Sequence, residues 1–171
     1  MSAAPGSRVF LSLGSNVGDR PAMLAAAREA LAVLPGTTVV AASGIYQTAP
    51  RDYADQPEFL NQVVCVETAL EPHDLLTQCQ RIETEHGRAR DLRFGPRTLD
   101  IDILLFQDVE LEEPDLMLPH PRMLSRAFVL VPLAEVWDFA RGMPGFDVAG
   151  LARDTANAQP VRPYDAAGSP G

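Results

Sequence analysis

The chain has 171 residues, 46% of them hydrophobic and 22% charged, and a net charge of −9. That length and balance suit a single globular domain over residues 1–171 with its core at about 8–142, and the acidic charge argues against a general nucleic-acid or membrane-surface role. All fourteen basic side chains are arginine, which excludes a P-loop lysine, a protein-kinase strand lysine and Schiff-base chemistry in any fold.

In chain order, residues 8–14 predict a short apolar strand running into a glycine-bearing turn over 14–19, with Asp19 as the N-cap of the next helix. The turn lacks the Gly-Lys-Ser/Thr ending of a P-loop and the third spaced glycine of a dinucleotide fingerprint. Over 20–34, Leu24, Ala27, Leu31 and Leu34 recur at helical spacing until Pro35-Gly36 stops the helix. Residues 37–48 predict a second strand and 58–68 a third, separated by a loop with two prolines at 49–57. Pro72 opens a second helix whose buried stripe is Leu75, Cys79 and Ile82, with Gln80 and Glu83 on a different face and Gly87 at its end. An arginine-rich loop, a strand ending at Phe106, an acidic hairpin-like stretch at 108–115 and a helix reaching about Ala140 follow. Beyond Gly142 a short helix near Leu151 and a flexible tail over about 155–171 are expected. Two cysteines in apolar surroundings suggest buried small hydrophobes, and the absence of a signal-like stretch implies a cytoplasmic protein.

The order strand, helix, strand, strand, helix, strand predicts an α+β fold with a ferredoxin-like βαββαβ core, an antiparallel sheet with helices packed on its faces. The two helices of that unit cover one face and leave the opposite one for a site. Asp100 and Asp102 belong there. They lie two residues apart in the apolar run Leu99-Asp100-Ile101-Asp102-Ile103-Leu104-Leu105-Phe106, so strand alternation places Thr98, Asp100, Asp102 and Leu104 on one face and Leu99, Ile101, Ile103 and Leu105 on the other. With α-carbons about 6.6 Å apart, the two carboxylates can converge on one or two metal ions, which suits Mg²⁺ completed by phosphate oxygens and water. The plain alternative is two solvated carboxylates on an open sheet face. Just before them, five of the fourteen arginines (Arg81, Arg88, Arg90, Arg93 and Arg97) fall within seventeen residues, which reads as a polyphosphate clamp or as a solvated basic loop.

Five ordered blocks carry a more specific signal. Leu13-Gly14-Ser15-Asn16 with Gly18-Asp19, Tyr46-Gln47-Thr48, Asp55-Gln56-Pro57-Glu58-Phe59-Leu60-Asn61, residues 87–103, and Leu118-Pro119-His120-Pro121-Arg122 with Arg126-Ala127-Phe128-Val129-Leu130 closely resemble the 6-hydroxymethyl-7,8-dihydropterin pyrophosphokinase family of folate biosynthesis, over about residues 9–137. The resemblance implies transfer of the β,γ-pyrophosphate of ATP to the hydroxymethyl group of 6-hydroxymethyl-7,8-dihydropterin, releasing AMP. It implies that Asp100 and Asp102 hold two Mg²⁺ ions and that Arg88 and Arg97 stabilise the moving pyrophosphate. Arg90 and Arg126 would bind the triphosphate, with Gln80, Phe94, His120 and the backbone at Ile103 helping to position the nucleotide and Glu83 both binding it and orienting neighbouring groups. Phe59 and Phe128 would stack on the pterin while Thr48 and Asn61 read its edge. The loops at 49–57 and 88–97 would act as lids that order when both substrates bind, and the enzyme is expected to be a monomer.

The chain also departs from that pattern. Arg51-Asp52-Tyr53 and Ala49 alter the first lid, Phe94 replaces a frequent tryptophan, and Asp115 and Met117 stand where some members offer arginine and threonine to the nucleotide. Two rival readings remain open on residues alone: another metal-dependent phosphotransfer or phosphoester enzyme on the same sheet, and a non-catalytic ligand- or RNA-binding module, against which the acidic charge counts.

Overall fold

The computed structural model describes residues 6–15, 19–48, 59–86 and 99–164. Its elements are β1 (Ser7–Ser15), α1 (Arg20–Ala32), β2 (Thr37–Ala42), β3 (Tyr46–Thr48), β4 (Phe59–Thr68), α2 (Pro72–His86), β5 (Asp100–Phe106), β6 (Leu111–Glu113), β7 (Leu116–Leu118), α3 (Ala127–Val136), α4 (Val148–Ala158) and β8 (Arg162–Pro163). A sheet in the order β5-β1-β4-β3-β8, with β2 also on β4, forms the centre, and β6 and β7 make a separate hairpin. Every pairing is antiparallel, as expected for the ferredoxin-like arrangement.

Alternation along the strands builds two cores. Val9, Leu11 and Leu13 of β1, Leu60, Val64 and Val66 of β4, and Ile101 and Ile103 of β5 pack with Leu24, Ala27 and Leu31 of α1 and Leu75, Cys79 and Ile82 of α2. The opposite face carries Phe10, Val63, Cys65, Leu104 and Leu105 beneath Val129, Leu130 and Leu133 of α3 and Val148 and Ala152 of α4. Burial pushes the Cys79 thiol up to about 12 and the Cys65 thiol to about 11, so both behave as the small hydrophobes expected of them. Among the described residues no helix is long and apolar enough to cross a membrane.

Asp19 caps α1 as expected, its Oδ1 accepting the Ala22 N–H at 3.1 Å. Gly36 makes the turn out of that helix at φ +59, and a Cβ there would meet Ala69 Cβ at 3.0 Å, so any other residue would be strained in backbone and crowded by Ala69.

Four expectations need correction. Residues 37–48 are two strands rather than one, because the pairing with β4 slips: Ala42 faces Val64 but Tyr46 faces Asn61, so one extra residue is fitted in over 43–45. Ser43 itself stays on β4: its N–H donates to the Val63 carbonyl at 2.9 Å, its hydroxyl accepts the Val63 N–H at 3.0 Å, and its carbonyl accepts Gln62 Nε2 at 2.6 Å. Gly14 and Ser15 continue β1 instead of opening the turn. In β5 strict alternation fails at a bulge, where Phe10 faces Leu105 but Leu11 faces Ile103. Leu104 is the extra residue, so Leu105 joins Leu104 on the α3 face while Phe106 turns toward α1 and α2. Finally, residues 155–164 do not form a tail: α4 runs to Ala158, and β8 pairs with Tyr46 and Gln47.

Candidate active site

Three neighbouring strands change character at the same level on the α3 face. Along β1 the inward residues run Phe10, Ser12, Gly14; along β4, Cys65, Val63, Asn61; along β5, Leu104, Asp102, Asp100. α3 and α4 cover the apolar ends, and the small and polar ends form the floor of a 520 Å³ cavity. In register, Tyr46, Asn61, Gly14 and Asp100 make one row across β3, β4, β1 and β5, and Ser12 pairs with Asp102 in the next. Asn61 and Asp100 therefore stand two strand spacings apart, about 10 Å, with only a glycine between them.

The cavity walls are Phe59 and Thr48 at the β3–β4 end, Arg126 and Phe128 at the start of α3, and Ala158, Gln159, Pro160 and Val161 from the C-terminal segment. Asn61 is 4% exposed, and its Nδ2 donates to Thr48 Oγ1 at 2.9 Å, which leaves Oδ1 as the acceptor of a buried amide. The Arg126 guanidinium lies 5.5 Å from the centre of the Phe128 ring, a cation–π distance. Beside the row, Glu135 of α3 accepts the Gly44 N–H at 2.7 Å and the Tyr46 hydroxyl. Burial first, then the bond to Glu135 and its charge, push the Tyr46 hydroxyl up to about 12, so it remains a donor.

A second cavity of 260 Å³ lies on the other side of β5, lined by Leu76, Ile101, Asp102, Ile103, the hairpin residues Pro114 to Met117, His120 and Pro121. Asp102 lines both cavities. The His120 N–H donates to the carbonyl of the bulged Leu104 at 2.8 Å, so the β5 irregularity seats the histidine beside Asp102. Burial, reinforced by Arg126 and Arg122 and opposed by Asp102, holds the imidazole below its ordinary value of 6.5. His120 Nδ1 accepts the Arg122 N–H at 3.1 Å, so the neutral ring carries its proton on Nε2.

Thr48, Phe59, Asn61, Asp100, Asp102, Arg126 and Phe128 thus share one cavity, and Ile103 and His120 share the adjoining one. Glu83 and Gln80 line neither. Glu83 is 6% exposed and its Oε2 accepts the Ile101 N–H at 2.7 Å, gripping the backbone between the two aspartates. Gln80 is exposed on α2. Arg88, Arg90, Phe94, Arg97 and the loops at 49–57 and 88–97 lie outside the described residues. Asp115 and Met117 do reach the smaller cavity, so the substituted positions face it with different chemistry. Residue-level reading missed Ser12 and Gly14, although Gly14 after an apolar run signals close backbone approach; nothing local marks 158–161.

The aspartate pair offers only hard oxygen donors, half-buried at Asp100 and exposed at Asp102, facing an open floor. That donor set fits a magnesium ion that takes its remaining ligands from a substrate. Among the described residues, the one group of three metal-ligand type side chains lies elsewhere: His73, Glu113 and Asp115 cluster between α2 and the hairpin, His73 Nε2 lying 2.9 Å from Glu113 and 3.9 Å from Asp115.

Comparison with known proteins identifies the family and supports the fold. Residues 10–138 match the family described as 7,8-dihydro-6-hydroxymethylpterin-pyrophosphokinase (HPPK). The chain is 50% identical over 130 residues to the 2-amino-4-hydroxy-6-hydroxymethyldihydropteridine pyrophosphokinase of Methylorubrum extorquens, covering 76% of this chain and 82% of that protein. It is 49% identical over 130 residues to the protein of the same name from Bacillus subtilis, covering 74% and 76%. Its fold is similar to that of a solved HPPK-DHPS chain from Plasmodium falciparum, with a TM-score of 0.64 and 15% identity; 88% of this chain is covered, and it spans 44% of that longer one.

Proposed function

The chain belongs to the 7,8-dihydro-6-hydroxymethylpterin-pyrophosphokinase family, and from that premise we propose how its site moves the β,γ-pyrophosphate of ATP onto the hydroxymethyl group of its pterin substrate. Pyrophosphoryl transfer to hydroxymethyldihydropterin in folate biosynthesis is the activity of the family. The observation that carries the site assignment is the sharing of Asp102 between two cavities of different chemistry.

In this reading the pterin occupies the 520 Å³ cavity, stacked between Phe59 and Phe128, since a flat polar heterocycle is held by its faces and read at its rim. With Asn61 Nδ2 committed to Thr48, Asn61 Oδ1 accepts the ring N–H and amino donors of the pterin edge. ATP occupies the cavity of Ile103 and His120, where the His120 Nε2–H donates to nucleotide oxygens, and the phosphates run past Asp102 toward Arg126. Arg88 and Arg97 meet the transferred group, Arg90 assists on the triphosphate and Phe94 supplies a stacking surface. Glu83 acts through the β5 backbone rather than on the nucleotide.

Phosphoryl-type transfer asks mainly for positioning and charge neutralisation. The hydroxymethyl oxygen bonds to the β-phosphorus as the bond to the α,β-bridging oxygen breaks; AMP departs with that oxygen, and the hydroxyl proton passes to Asp102 or solvent. Asp100 and Asp102 would hold two Mg²⁺ ions, which when bound supply Lewis-acid charge neutralisation and a more acidic hydroxyl. Neutral His120, its Nδ1 engaged by backbone, serves as a hydrogen-bond donor and not as the base. The loops at 49–57 and 88–97 close over the site and exclude water.

Incubation of the purified chain with ATP and Mg²⁺, with and without 6-hydroxymethyl-7,8-dihydropterin, tests this. AMP should appear only with the pterin, matched by an equal amount of pterin pyrophosphate, and chelation with EDTA should abolish both. ADP or free pyrophosphate as the product, or full activity in EDTA, would contradict the reading.

A further inference from the structure

The family match ends at residue 138, yet the larger cavity continues past it onto Ala158, Gln159, Pro160 and Val161 at the junction of α4 and β8. Two sets of contacts seat this wall. β8 pairs with β3, and the Tyr164 N–H donates to the Ile45 carbonyl at 2.8 Å. The Gln159 side chain, in turn, straddles Arg126: its Oε1 accepts the Ala127 N–H at 3.0 Å and its Nε2 donates to the Ser125 carbonyl at 2.9 Å. Ala127 opens α3, where backbone N–H groups have no partner within the helix, and Arg126, the N-cap residue, makes no side-chain capping bond. Gln159 therefore caps α3 from 32 residues away. Its own backbone is fixed, the N–H donating to the Thr155 carbonyl at 2.9 Å at the end of α4.

We propose that Gln159 is a positioning residue for both substrates: its amide clasp fixes the backbone that carries Arg126 and Phe128, so a segment outside the family-matched residues sets two walls of the site. The inference rests on the division of substrates given above. Arg126 stacks on Phe128, so the backbone between Ser125 and Ala127 governs the guanidinium and the ring together. Stability of α3 comes from elsewhere. Ala127, Val129, Leu130, Pro132, Leu133 and Val136 are all buried, so loss of the clasp loosens the first turn without releasing the helix.

The test compares Gln159→Leu, which removes both bonds at similar size, with Gln159→Glu, which keeps the acceptor for Ala127. Steady-state constants for each substrate are read beside urea unfolding. A single hydrogen bond is worth roughly a fivefold change in an equilibrium constant, so Gln159→Leu should raise KM for both ATP and the pterin by about fivefold or more. In that variant kcat should fall less than KM rises, the unfolding midpoint should drop modestly, as loss of a helix cap costs, with the enzyme still fully folded under assay conditions, and Gln159→Glu should recover part of the KM loss. Unchanged KM values, or a loss confined to the fraction of active enzyme, overturn the proposal. If Gln159→Leu folds poorly, the same KM comparison on Gln159→Glu alone decides. Pterin-dependent AMP from the unaltered chain keeps the parent reading standing whichever way the variants fall; its absence overturns both.

Discussion

Between Asn61 and Asp100 the sheet floor is bare at Gly14, and a Cβ built there would lie 3.3 Å from Asn61 Oδ1, the atom assigned to the pterin edge. Gly14→Ala should displace that amide by a few tenths of an ångström and raise KM for the pterin roughly tenfold, since small misplacements in a site cost large factors. Stability should change by less than about 1 kcal/mol, because alanine suits a strand at least as well as glycine. Kinetics with the pterin varied, beside urea unfolding, checks this; an unaltered KM would contradict the role given to Asn61. Residues differ in how far their sequence announces them. Asp100 and Asp102 declare themselves because period-two spacing in an apolar run puts both carboxylates on one face. Phe59 and Phe128 carry no such mark, since aromatics in strands and helices usually fill cores, and only the resemblance singled them out. Glu83 was expected to orient neighbouring groups and also to touch the nucleotide; its carboxylate is spent on the Ile101 N–H, a contact across 18 residues that no local pattern announces.

Elements were legible where one periodicity ran uninterrupted. α1, α2 and β4 fall close to their expected bounds because their buried stripes are local. The second strand was not, because its break is a register slip on β4 between Ala42 and Tyr46, beside which Gln62 and Val63 hold Ser43 through three hydrogen bonds. That slip sets the register in which Thr48 of β3 stands opposite Phe59, at the cavity. Ser43→Ala removes the acceptor of the buried Val63 N–H and should cost about 1–3 kcal/mol, the desolvation penalty of an orphaned donor, read as a lower urea midpoint at unchanged m-value. A variant as stable as the parent would show that the Val63 N–H does not depend on the hydroxyl. The β5 bulge is equally long-range in origin, since Leu104 turns out of register to give its carbonyl to His120. The C-terminal segment, rich in Gly, Pro and Ala, reads as a tail, but contacts with β3 and Ser125 more than thirty residues away hold residues 159–164 against the domain.

At the scale of the molecule, an antiparallel sheet buries one face under α1 and α2 and divides the other between an apolar half under α3 and α4 and a polar half left open. Net charge and composition excluded classes of function but could not locate this division, which arises only when three strands align at one level. The edge strand β5 then separates two cavities and presents Asp102 to both, so two substrates can meet at one carboxylate pair without sharing a pocket. The measurement that bears most directly on this arrangement is a crystal structure of the chain with Mg²⁺, a methylene-bridged ATP analogue and 6-hydroxymethyl-7,8-dihydropterin. The pterin should lie between Phe59 and Phe128 with its edge on Asn61 and Thr48, the nucleotide beside His120 and Ile103, and metal on Asp100 and Asp102. A pterin bound in the His120 cavity, or metal held away from the aspartate pair, would contradict it.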